Sequence, residues 1–517
     1  MGGLERPLPQ RAESSKPRIP RPGYASMKKG RRPMKNALTQ RKNPAVLAAV
    51  LASTGLAFAA PASAAGATWT VFETAKDNGH ALSDVTASAV APEAAAGEIV
   101  CVPSQRYQEI LGFGGALTES SAWVLAQIPK PLRAEVLRRY YDPGEGIGYT
   151  LARTHINSCD FSLGSWALDP VAGDTSLSHF SLDPMRTWVL PLIHDARAAA
   201  GAENFRLLAS PWSPPSWMKT NGRMIFGGGL RPDCRQAWAD YFVRFIQEMD
   251  RQEHIPVWAI TVQNEPQAVQ TWESCVFSAA EERDFVRDYL GPTLARAGMG
   301  GVHLCILDHN RDLVDEWTRT IYGDASASRY VWGTALHWYV SDDFAATTRA
   351  HAAFPDKPTL FTEGCVDREV NSGKWVLGKW DHGERYAHSM INDFKNWVCG
   401  WIDWNIVLDQ AGGPNHVGNF CDAPVIVDTE TGAVTYQSIY YYIGQFSRFV
   451  RPGAHRIESR GGPAALESVA FVNPDGSLVV VVLNKGAKPV SFRLADGSAS
   501  RACAIPARAI QTYIRAQ

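Results

Sequence analysis

The segment Val257-Trp258-Ala259-Ile260-Thr261-Val262-Gln263-Asn264-Glu265-Pro266 is a short β-type run that ends in a carboxylate. A second segment, Thr359-Leu360-Phe361-Thr362-Glu363-Gly364, has the same form, and its Glu follows the first after 98 positions. A (β/α)8 barrel takes about 250 residues for eight units, or roughly 31 per unit. The spacing is therefore about three units, which predicts that the two carboxylates follow strands such as the fourth and seventh of one barrel.

Apolar runs alternate with amphipathic helical patterns from about residue 111 to 430. Residues 238–249 and 281–290 show the helical spacing of apolar side chains. Eight strand candidates accompany such segments, at residues 108–113, 149–155, 206–210, 257–263, 302–307, 333–337, 359–362 and 400–404. This alternation is typical of a parallel sheet. It predicts an α/β fold, a (β/α)8 TIM barrel whose strand ends share one active-site face.

Short strand patterns flank the barrel on both sides. Four alternating runs follow residue 440, and Asn473-Pro474-Asp475-Gly476 is a clear turn between two of them. Residues 66–110 carry similar runs, which predicts an associated β-sandwich domain formed from N- and C-terminal strands. The predicted organisation is an N-terminal extension and signal peptide (1–64), N-terminal strands (65–108), a catalytic barrel (109–438) and a C-terminal sandwich (439–517).

The composition is that of a globular protein and argues against several classes of partner. A chain of 517 residues is too long for one single-core domain. Its net charge of −1 gives no reason to expect a nucleic acid or an anionic membrane surface as partner. No feature indicates a protein partner. The 17 Trp suit the apolar faces of sugar rings, although the core of a large barrel accounts for many of them.

The N-terminus has the three parts of a secretory signal. Residues 1–44 are basic, residues 45–60 are apolar, and Pro61-Ala62-Ser63-Ala64-Ala65 offers a small-residue cleavage site after Ala64. The pair Arg31-Arg32 also permits a twin-arginine route. The apolar part is too short to span a bilayer, so no transmembrane segment is expected. The mature protein is expected to be exported, to a periplasm or out of the cell.

The nine cysteines fit an exported protein loosely. An odd number leaves at least one thiol free, and one or two disulfides are possible without an assigned pairing. The sequence contains no Cys-x-x-Cys pair, which argues against a structural zinc site.

Two carboxyl groups at neighbouring strand ends suit the cleavage of a glycosidic bond. Retaining hydrolysis needs a protonated carboxyl for the leaving oxygen and an ionised one for the anomeric carbon, about 5–5.5 Å apart. A lone Glu would more simply be a surface carboxylate, but Glu265 and Glu363 share the same position in the predicted fold. The amide of Asn264 can bind a sugar 2-hydroxyl, and Pro266 favours an extended conformation at Glu265.

Several longer motifs occur in a fixed order along the chain. They are Gly112-Phe113-Gly114-Gly115-Ala116, Ser158-Cys159-Asp160-Phe161, Leu208-Ala209-Ser210-Pro211-Trp212-Ser213-Pro214-Pro215, Asn264-Glu265-Pro266, His337-Trp338-Tyr339 and Asp403-Trp404-Asn405. With these motifs the chain resembles glycoside hydrolase family 30, in its glucosylceramidase branch. The resemblance covers roughly residues 105 to 515.

The resemblance implies a retaining barrel enzyme with a side sandwich built from both chain ends. It implies Glu265 as the general acid/base and Glu363 as the nucleophile, with no metal or organic cofactor. It also implies a set of residues around the sugar, namely Arg153, Asp160, Trp212, Asn264, His337, Tyr339 and Trp404, with Asn419 and Phe420 at the rim.

The chemistry of each charged neighbour allows two interpretations. Arg153 can bind a carboxylate with two donors and, beside Glu363, would lower the pKa of that nucleophile. The alternative is a structural Arg that pairs with another carboxylate of the barrel. Asp160 can accept two adjacent sugar hydroxyls, or it can cap a helix in the turn that follows.

The aromatic candidates also have two interpretations. Trp212 and Trp404 can form the walls on which a sugar ring stacks, or they can be core residues. His337 and Tyr339 alternate on a strand and therefore share a face. If that face is the barrel mouth, Tyr339 can hydrogen-bond Glu363; otherwise both residues serve packing.

The loop after the first carboxylate departs from the glucosylceramidase branch. It reads Gln267-Ala268-Val269-Gln270-Thr271-Trp272-Glu273-Ser274-Cys275, and loops of this kind set specificity in barrels. We expect a retaining β-glycosidase that acts on the β-D-glucosidic bonds of a carbohydrate or glycolipid, glucosylceramide-like or another β-glucoside. A β-1,6-glucanase or β-xylosidase of the same family stays open, as does a catalytically silent carbohydrate-binding scaffold.

Overall fold

The structure is a computed structural model that describes residues 69–89, 95–374 and 376–516. Within these residues the chain starts with three strands, β1 (Trp69–Ala75), β2 (Ser83–Asp84) and β3 (Glu98–Ile110). The predicted signal peptide, its cleavage site and the basic segment lie outside these residues. In the part of the chain that the structure describes, no helix combines the length and the apolar character needed to cross a membrane.

Eight parallel strands close into a barrel. They are β4 (Gly112–Ala116), β5 (Leu151–Ile156), β6 (Arg206–Pro211), β7 (Val257–Thr261), β8 (His303–Asn310), β9 (Gly333–His337), β10 (Thr359–Glu363) and β11 (Val398–Asn405). The last strand pairs with the first, so the barrel has no free edge. The strands are buried almost throughout, because side chains point either into the barrel or under the helices. This confirms the predicted TIM barrel.

The first barrel strand begins later than residues 108–113 predict. Residues 108–110 end β3, which belongs to the outer sheet, and the barrel strand starts only at Gly112. Gly112 has a φ of 134°, which a residue with a Cβ rarely adopts, so the chain changes direction there. One extended run of sequence therefore supplies two strands in different sheets.

Helices follow the barrel strands and cover them. Along the chain they are α1 (Glu119–Ala126), α2 (Lys130–Tyr141), α3 (Asp183–Arg186), α4 (Val189–Ala200), α5 (Arg235–Glu253), α6 (Ala279–Phe285), α7 (Gly291–Arg296), α8 (Val314–Tyr322), α9 (Ala325–Ser328), α10 (Ala345–Ala353), α11 (Trp380–Lys395) and α12 (Ser438–Ser447). The periodic segment 238–249 lies within α5. The segment 281–290 forms most of α6 and the π-helical turn that follows it. Helix α6 starts with a capping box between Ser278 and Glu281.

The remaining strands form a small sheet and a large one. The small sheet contains β12 (Val407–Asp409), β13 (Val425–Val427) and β14 (Val434–Tyr436). The large sheet contains β15 (Ala454–Gly461), β16 (Glu467–Val472), β17 (Leu478–Asn484), β18 (Val490–Ala495), β19 (Ser500–Ile505) and β20 (Ala509–Arg515), together with β1, β2 and β3.

The large sheet folds over on itself around one core. Its strand order is β19-β18-β3-β15-β16-β17-β20-β1-β2, so β18 and β20 are far apart in the ladder. Phe492 of β18 and Tyr513 of β20 nevertheless pack with ring centroids 5.8 Å apart. This confirms a sandwich domain that is formed by strands from both ends of the chain.

Candidate active site

The two candidate carboxylates come from the fourth and seventh strands of the barrel. Glu363 is the last residue of β10, and Glu265 follows β7. The extended conformation predicted at Glu265 is wrong, because its φ is 46°. Its N–H donates to Asp308 O (2.9 Å) and that of Asn264 donates to Pro211 O (2.8 Å), so both neighbouring strands hold this turn. Such backbone strain costs about 1–3 kcal/mol and occurs mainly at functional sites.

His337 lies between the two carboxylates at the end of β9. Its Nδ1 is 3.4 Å from Oε1 of Glu265 and 3.9 Å from Oε1 of Glu363. Its Nε2 is 3.0 Å from Oδ1 of Asp308, and the ring is fully buried. A single ring nitrogen therefore lies within 4 Å of both carboxylates.

Both oxygens of Glu363 receive a hydrogen bond. Arg153 donates to Oε2 through Nη1, and the Tyr339 hydroxyl donates to Oε1 across 2.8 Å. Arg153 is fully buried, and its Nη2 also donates to Oδ1 of Asn264 (2.7 Å) and Oδ2 of Asp308 (2.8 Å). The guanidinium thus ties three strand ends of the barrel together.

Asp308 is a central residue of this network that sequence reasoning missed. It accepts hydrogen bonds from Arg153 and His337 and from three hydroxyls, those of Ser210 (3.0 Å), Thr261 (2.7 Å) and Thr362 (2.6 Å). A signal was present, because Asp308 directly follows the predicted strand 302–307, as Glu363 follows residues 359–362. The observed strand β8 runs on to Asn310.

The charges at the centre of the site influence one another. Burial raises the pKa of Glu363, and the charges of His337 and Arg153 oppose that rise. Burial also acts to raise the pKa of Glu265, but the hydrogen bond from His337 and the charge of His309 bring it below its ordinary value. Burial lowers the pKa of His337, yet the surrounding carboxylates raise it to about 9. A pKa of about 9 favours the protonated form of His337 at neutral pH.

Two tryptophans form a wall beside the carboxylates. The rings of Trp212 and Trp404 stack with centroids 5.2 Å apart and planes inclined by 26°. The Arg153 guanidinium carbon lies 4.8 Å from the centre of the Trp212 ring, which is favourable for a cation–π contact. Both rings are nearly buried but contribute to the lining of the site cavity.

Asp160 lies in the wall of the cavity and is nearly buried, with only 6% of its surface exposed. Its Oδ2 accepts a hydrogen bond of 2.9 Å from Nδ2 of Asn419. Its Oδ1 has no hydrogen-bond partner among the described residues. Burial, together with the charge of Glu363, raises the pKa of Asp160 to about 8. The Asp160 side chain is part of the cavity lining.

The predicted site residues surround one cavity of about 290 Å³. Its lining includes both carboxylates and Asp160, Trp212, Asn264, Tyr339, Trp404 and Asn419. Arg153 and His337 lie beneath this surface and contact the carboxylates from below. Sequence reasoning did not assign other lining residues, namely Ala268, Gln270, Trp272, His309, Asn310, Val340, Cys365, Asp367, Arg368 and Cys421.

Comparison with known proteins identifies the family. Residues 110–450 match the model of the glycosyl hydrolase family 30 TIM-barrel domain, and residues 453–513 match that of the family 30 beta sandwich domain. The chain belongs to glycoside hydrolase family 30. It is therefore a glycoside hydrolase, and its substrate is of carbohydrate type.

Relatives in this family carry different activities in their names. The lysosomal acid glucosylceramidase of Mus musculus is 37% identical over 409 residues, which cover 76% of this chain and 78% of the mouse protein. An endo-1,6-beta-D-glucanase of Neurospora crassa is 31% identical over 74% of this chain and 80% of the fungal protein. The crystal structure of SrfJ from Salmonella typhimurium has a TM-score of 0.81 at 36% identity, over 87% of this chain and 100% of SrfJ.

One group in this family 30 site has the composition of a metal site. The ligand atoms of Glu265, His309 and His337 all lie within 4.8 Å of one another. Two His and one Glu is a common zinc ligand set. A cation would have to displace the proton of His337, whose pKa of about 9 opposes this at neutral pH. Glycoside hydrolysis by two carboxyls needs no metal ion.

Proposed function

We propose that this family 30 chain is a retaining β-glycosidase that hydrolyses β-D-glucosidic bonds by double displacement through a covalent glycosyl-enzyme intermediate. Glu363 attacks the anomeric carbon while Glu265 protonates the leaving oxygen and then activates water. The supporting observation is that Nδ1 of His337 lies 3.4 and 3.9 Å from the two carboxyls. Two oxygens at these distances from one atom are at most about 7.3 Å apart, which includes the separation of about 5–5.5 Å in retaining enzymes and excludes most of the 6.5–9.5 Å of inverting ones.

The surroundings of Glu363 suit a nucleophile. Arg153 and Tyr339 donate one hydrogen bond to each carboxylate oxygen, which favours the ionised form and fixes its orientation. Burial acts in the opposite direction and raises the pKa. Two donors thus hold the carboxylate in one orientation while burial limits its contact with water.

The proton for acid catalysis is stored next to Glu265. The surrounding carboxylates raise the pKa of His337 to about 9, which favours a proton on its ring, and its Nδ1 is 3.4 Å from Glu265. As negative charge develops on the leaving oxygen, the proton passes from His337 through Glu265 to that oxygen. In the second step Glu265 takes a proton from the attacking water and returns it to His337. The two steps leave every group in its starting state.

Asn264 is oriented by the same network. Arg153 can only donate hydrogen bonds, so the atom of Asn264 that faces it is the carbonyl oxygen Oδ1. The Nδ2 group is then turned toward the cavity that Asn264 lines. There it can donate to the sugar 2-hydroxyl, a hydrogen bond that strengthens in the transition state of glycoside hydrolysis.

The cavity size favours a terminal sugar. A volume of 290 Å³ is at the lower end of the roughly 300–1,000 Å³ of ligand pockets. We expect one glucosyl ring between Asp160 and the tryptophan wall, and the aglycone near Gln270 and Val340, which also line the cavity. This supports glucosylceramide-like lipids and other β-glucosides. Similarity to the Neurospora crassa endo-1,6-beta-D-glucanase supports a β-1,6-glucan as the second candidate substrate.

The proposal is tested by assays on an aryl β-glucoside, an aryl β-xyloside, β-1,6-glucan and glucosylceramide in parallel. Proton NMR of the first product should show the β-anomer. Glu265→Ala in the presence of azide should yield a β-glycosyl azide, since azide replaces water at the glycosyl-enzyme. Glu363→Gln should lose on the order of 10³-fold or more in turnover. The exposed Glu316→Gln serves as the matched control.

Two results would contradict this mechanism. An α-anomer as first product would show that the enzyme is inverting. Full turnover by Glu363→Gln would show that Glu363 is not the nucleophile. Sugar binding without turnover on every substrate would favour the carbohydrate-binding scaffold.

Export is a second part of the proposal and rests on the N-terminal sequence alone. A basic segment, an apolar segment and small residues up to Ala65 have the form of a cleaved secretory signal. The mature protein recovered outside the cytoplasm should begin at Ala65. An uncleaved chain found with the cytoplasmic proteins would overturn this part without affecting the enzymatic one.

A further inference from the structure

Two cysteines meet in the wall of the cavity. The Sγ atoms of Cys365 and Cys421 are 3.0 Å apart, although the residues are 56 positions apart in the chain. Carbon atoms in contact stay about 3.5–4.0 Å apart, and sulfur is larger than carbon. The two thiols are therefore pressed together more closely than ordinary packing. Both side chains line the cavity, and both are buried.

The two cysteines belong to different parts of the site. Cys365 comes two residues after Glu363, at the end of β10. Cys421 comes two residues after Asn419, whose Nδ2 donates to Asp160. It lies in the connection between β12 and β13, which contains no strand or helix of its own. The connection supplies one wall of the sugar site, and its contacts include a hydrogen bond from Asn371 Nδ2 to Phe420 O (2.9 Å).

We propose that Cys365 and Cys421 form a disulfide bond under oxidising conditions, and that this bond fastens the wall carrying Asn419 to the strand end carrying Glu363. The sulfur atoms need to approach by about 1 Å to reach the S–S bond length of about 2.05 Å. The inference is independent of the proposed reaction. An exported chain, as the N-terminal sequence predicts, reaches compartments where disulfides persist.

The oxidant is a small-molecule disulfide such as oxidised glutathione. The thiolate of Cys365, the more exposed of the two, attacks one sulfur of glutathione disulfide and displaces a glutathione thiolate. The sulfur of Cys421 then attacks the mixed disulfide and displaces the second. Two cysteine thiols lose two electrons and two protons, and one glutathione disulfide becomes two glutathione thiols.

The environment of the thiols sets the rate of this step. Burial raises the pKa of the Cys365 thiol well above its usual range and raises the pKa of Cys421 to about 11. Thiolate is the attacking species, so oxidation of the folded protein speeds up with rising pH. During folding the same thiols are solvated, and the bond forms faster.

The bond has an effect on both stability and binding. It closes a long chain segment, which restricts the unfolded state and raises Tm by about 3–8 °C. It also reduces the freedom of the wall that presents Asn419 to Asp160. A more rigid site loses less entropy on binding, so KM for an aryl β-glucoside is roughly two- to fivefold lower in the oxidised protein.

The test compares the full protein after oxidised glutathione at pH 8.5 with the same protein after dithiothreitol. Thiol titration in denaturant should count nine thiols in the reduced protein and two fewer in the oxidised one. A non-reduced protease digest should contain one peptide pair joined through Cys365 and Cys421. Cys421→Ser should abolish the cross-link and the difference in Tm between the two treatments. Cys503→Ala, in the distant sandwich, should keep both.

Three outcomes would overturn the inference. They are nine titratable thiols after oxidation, a cross-link between other cysteines, or a Tm difference that survives in Cys421→Ser. If Cys421→Ser fails to fold, the cross-linked peptide of the wild-type protein still decides the question. None of these readouts depends on turnover, so a failure of the proposed reaction leaves the test intact.

Discussion

The Tyr339 hydroxyl donates a hydrogen bond of 2.8 Å to Oε1 of Glu363, while Arg153 binds the other oxygen of the same carboxylate. Donors on both oxygens favour the ionised form and hold the carboxylate in one orientation. Burial in the cavity wall has the opposite effect on the pKa. The ionisation of Glu363 is thus a balance that removal of either donor should shift.

Replacement of Tyr339 by Phe tests this balance. The substitution removes a hydrogen bond to a charged group, worth about 1.5–3 kcal/mol, so we expect kcat/KM to fall roughly 10- to 100-fold. The pKa of Glu363 should rise, because its ionised form loses a donor, and the acid limb of the pH–rate profile should move to higher pH. A profile measured on an aryl β-glucoside checks both effects. Tyr330→Phe, away from the cavity, should show neither, and an unmoved acid limb in Tyr339→Phe would contradict the assigned role.

The alkaline limb of the pH–rate profile, where kcat/KM falls as the pH rises, should depend on Asp308. This carboxylate contacts Nε2 of His337 and helps to raise the pKa of the imidazole to about 9. In Asp308→Asn that charge is lost, so the pKa of His337 should fall and the alkaline limb of kcat/KM should move to lower pH. Asp393→Asn provides a matched control, because Asp393 is equally buried and pairs with Arg311 outside the site. Asp393→Asn should lower the stability without moving the alkaline limb. Equal shifts of this limb in both variants would indicate a general effect of lower stability and would contradict the role of Asp308.

Asp308 should also affect stability in acid. Burial alone would raise its pKa, but the charge of Arg153 and the hydrogen bond from His337 hold it well below its usual range. A carboxyl with a depressed pKa stabilises the fold fully above the unfolded pKa of about 3.9, and this stabilisation is lost as the pH falls below that value. The wild-type Tm should therefore drop between about pH 4 and 2 more steeply than the Tm of Asp308→Asn. Parallel curves from calorimetry would contradict the assignment.

The pH optimum of wild-type turnover follows from the same two limbs. Below the optimum Glu363 gains a proton and loses its nucleophilic charge, and its raised pKa places this limb above that of an ordinary Glu. Above the optimum the proton shared by His337 and Glu265 is lost. We expect a mildly acidic to neutral optimum, with a clear decline by about pH 9. A rate on the aryl β-glucoside that still rises above pH 9 would exclude this proton as the catalytic one.

The spacing of repeated units in the sequence predicted the barrel and the places of both carboxylates. The βα units of this barrel differ in length, with successive strands starting 26 to 55 residues apart, but all the parallel strands end on one face, so two Glu at strand ends must share it. The family motifs added Arg153 and Tyr339, whose side chains lie on Glu363. Both predictions rest on local pattern, in which a short apolar run ends in one polar side chain.

Other features depend on the closed barrel and could not be predicted locally. Glu265 has a positive φ because backbone groups of two adjacent strands bind its turn, and this overrides the effect of Pro266. The contact between Cys365 and Cys421 exists only when the connection after β12 folds back over the barrel mouth. Asp308 could have been found, because it is a polar residue at a strand end.

Asp160 should show a trade-off between binding and stability. Burial raises its pKa to about 8, above that of the unfolded chain, so the carboxyl stabilises the fold less and less as the pH rises from about 4 to 8. Asp160→Asn removes this dependence, and its Tm should exceed that of the wild type by a margin that grows over this range. The same variant replaces a carboxyl that can bind sugar hydroxyls by an amide of different hydrogen-bonding character, so kcat/KM should fall roughly 2- to 10-fold. Asp356→Asn, which is exposed, should change neither quantity. A Tm difference that is constant from pH 5 to 8 would show that Asp160 ionises normally and does not carry the cost of a buried charge.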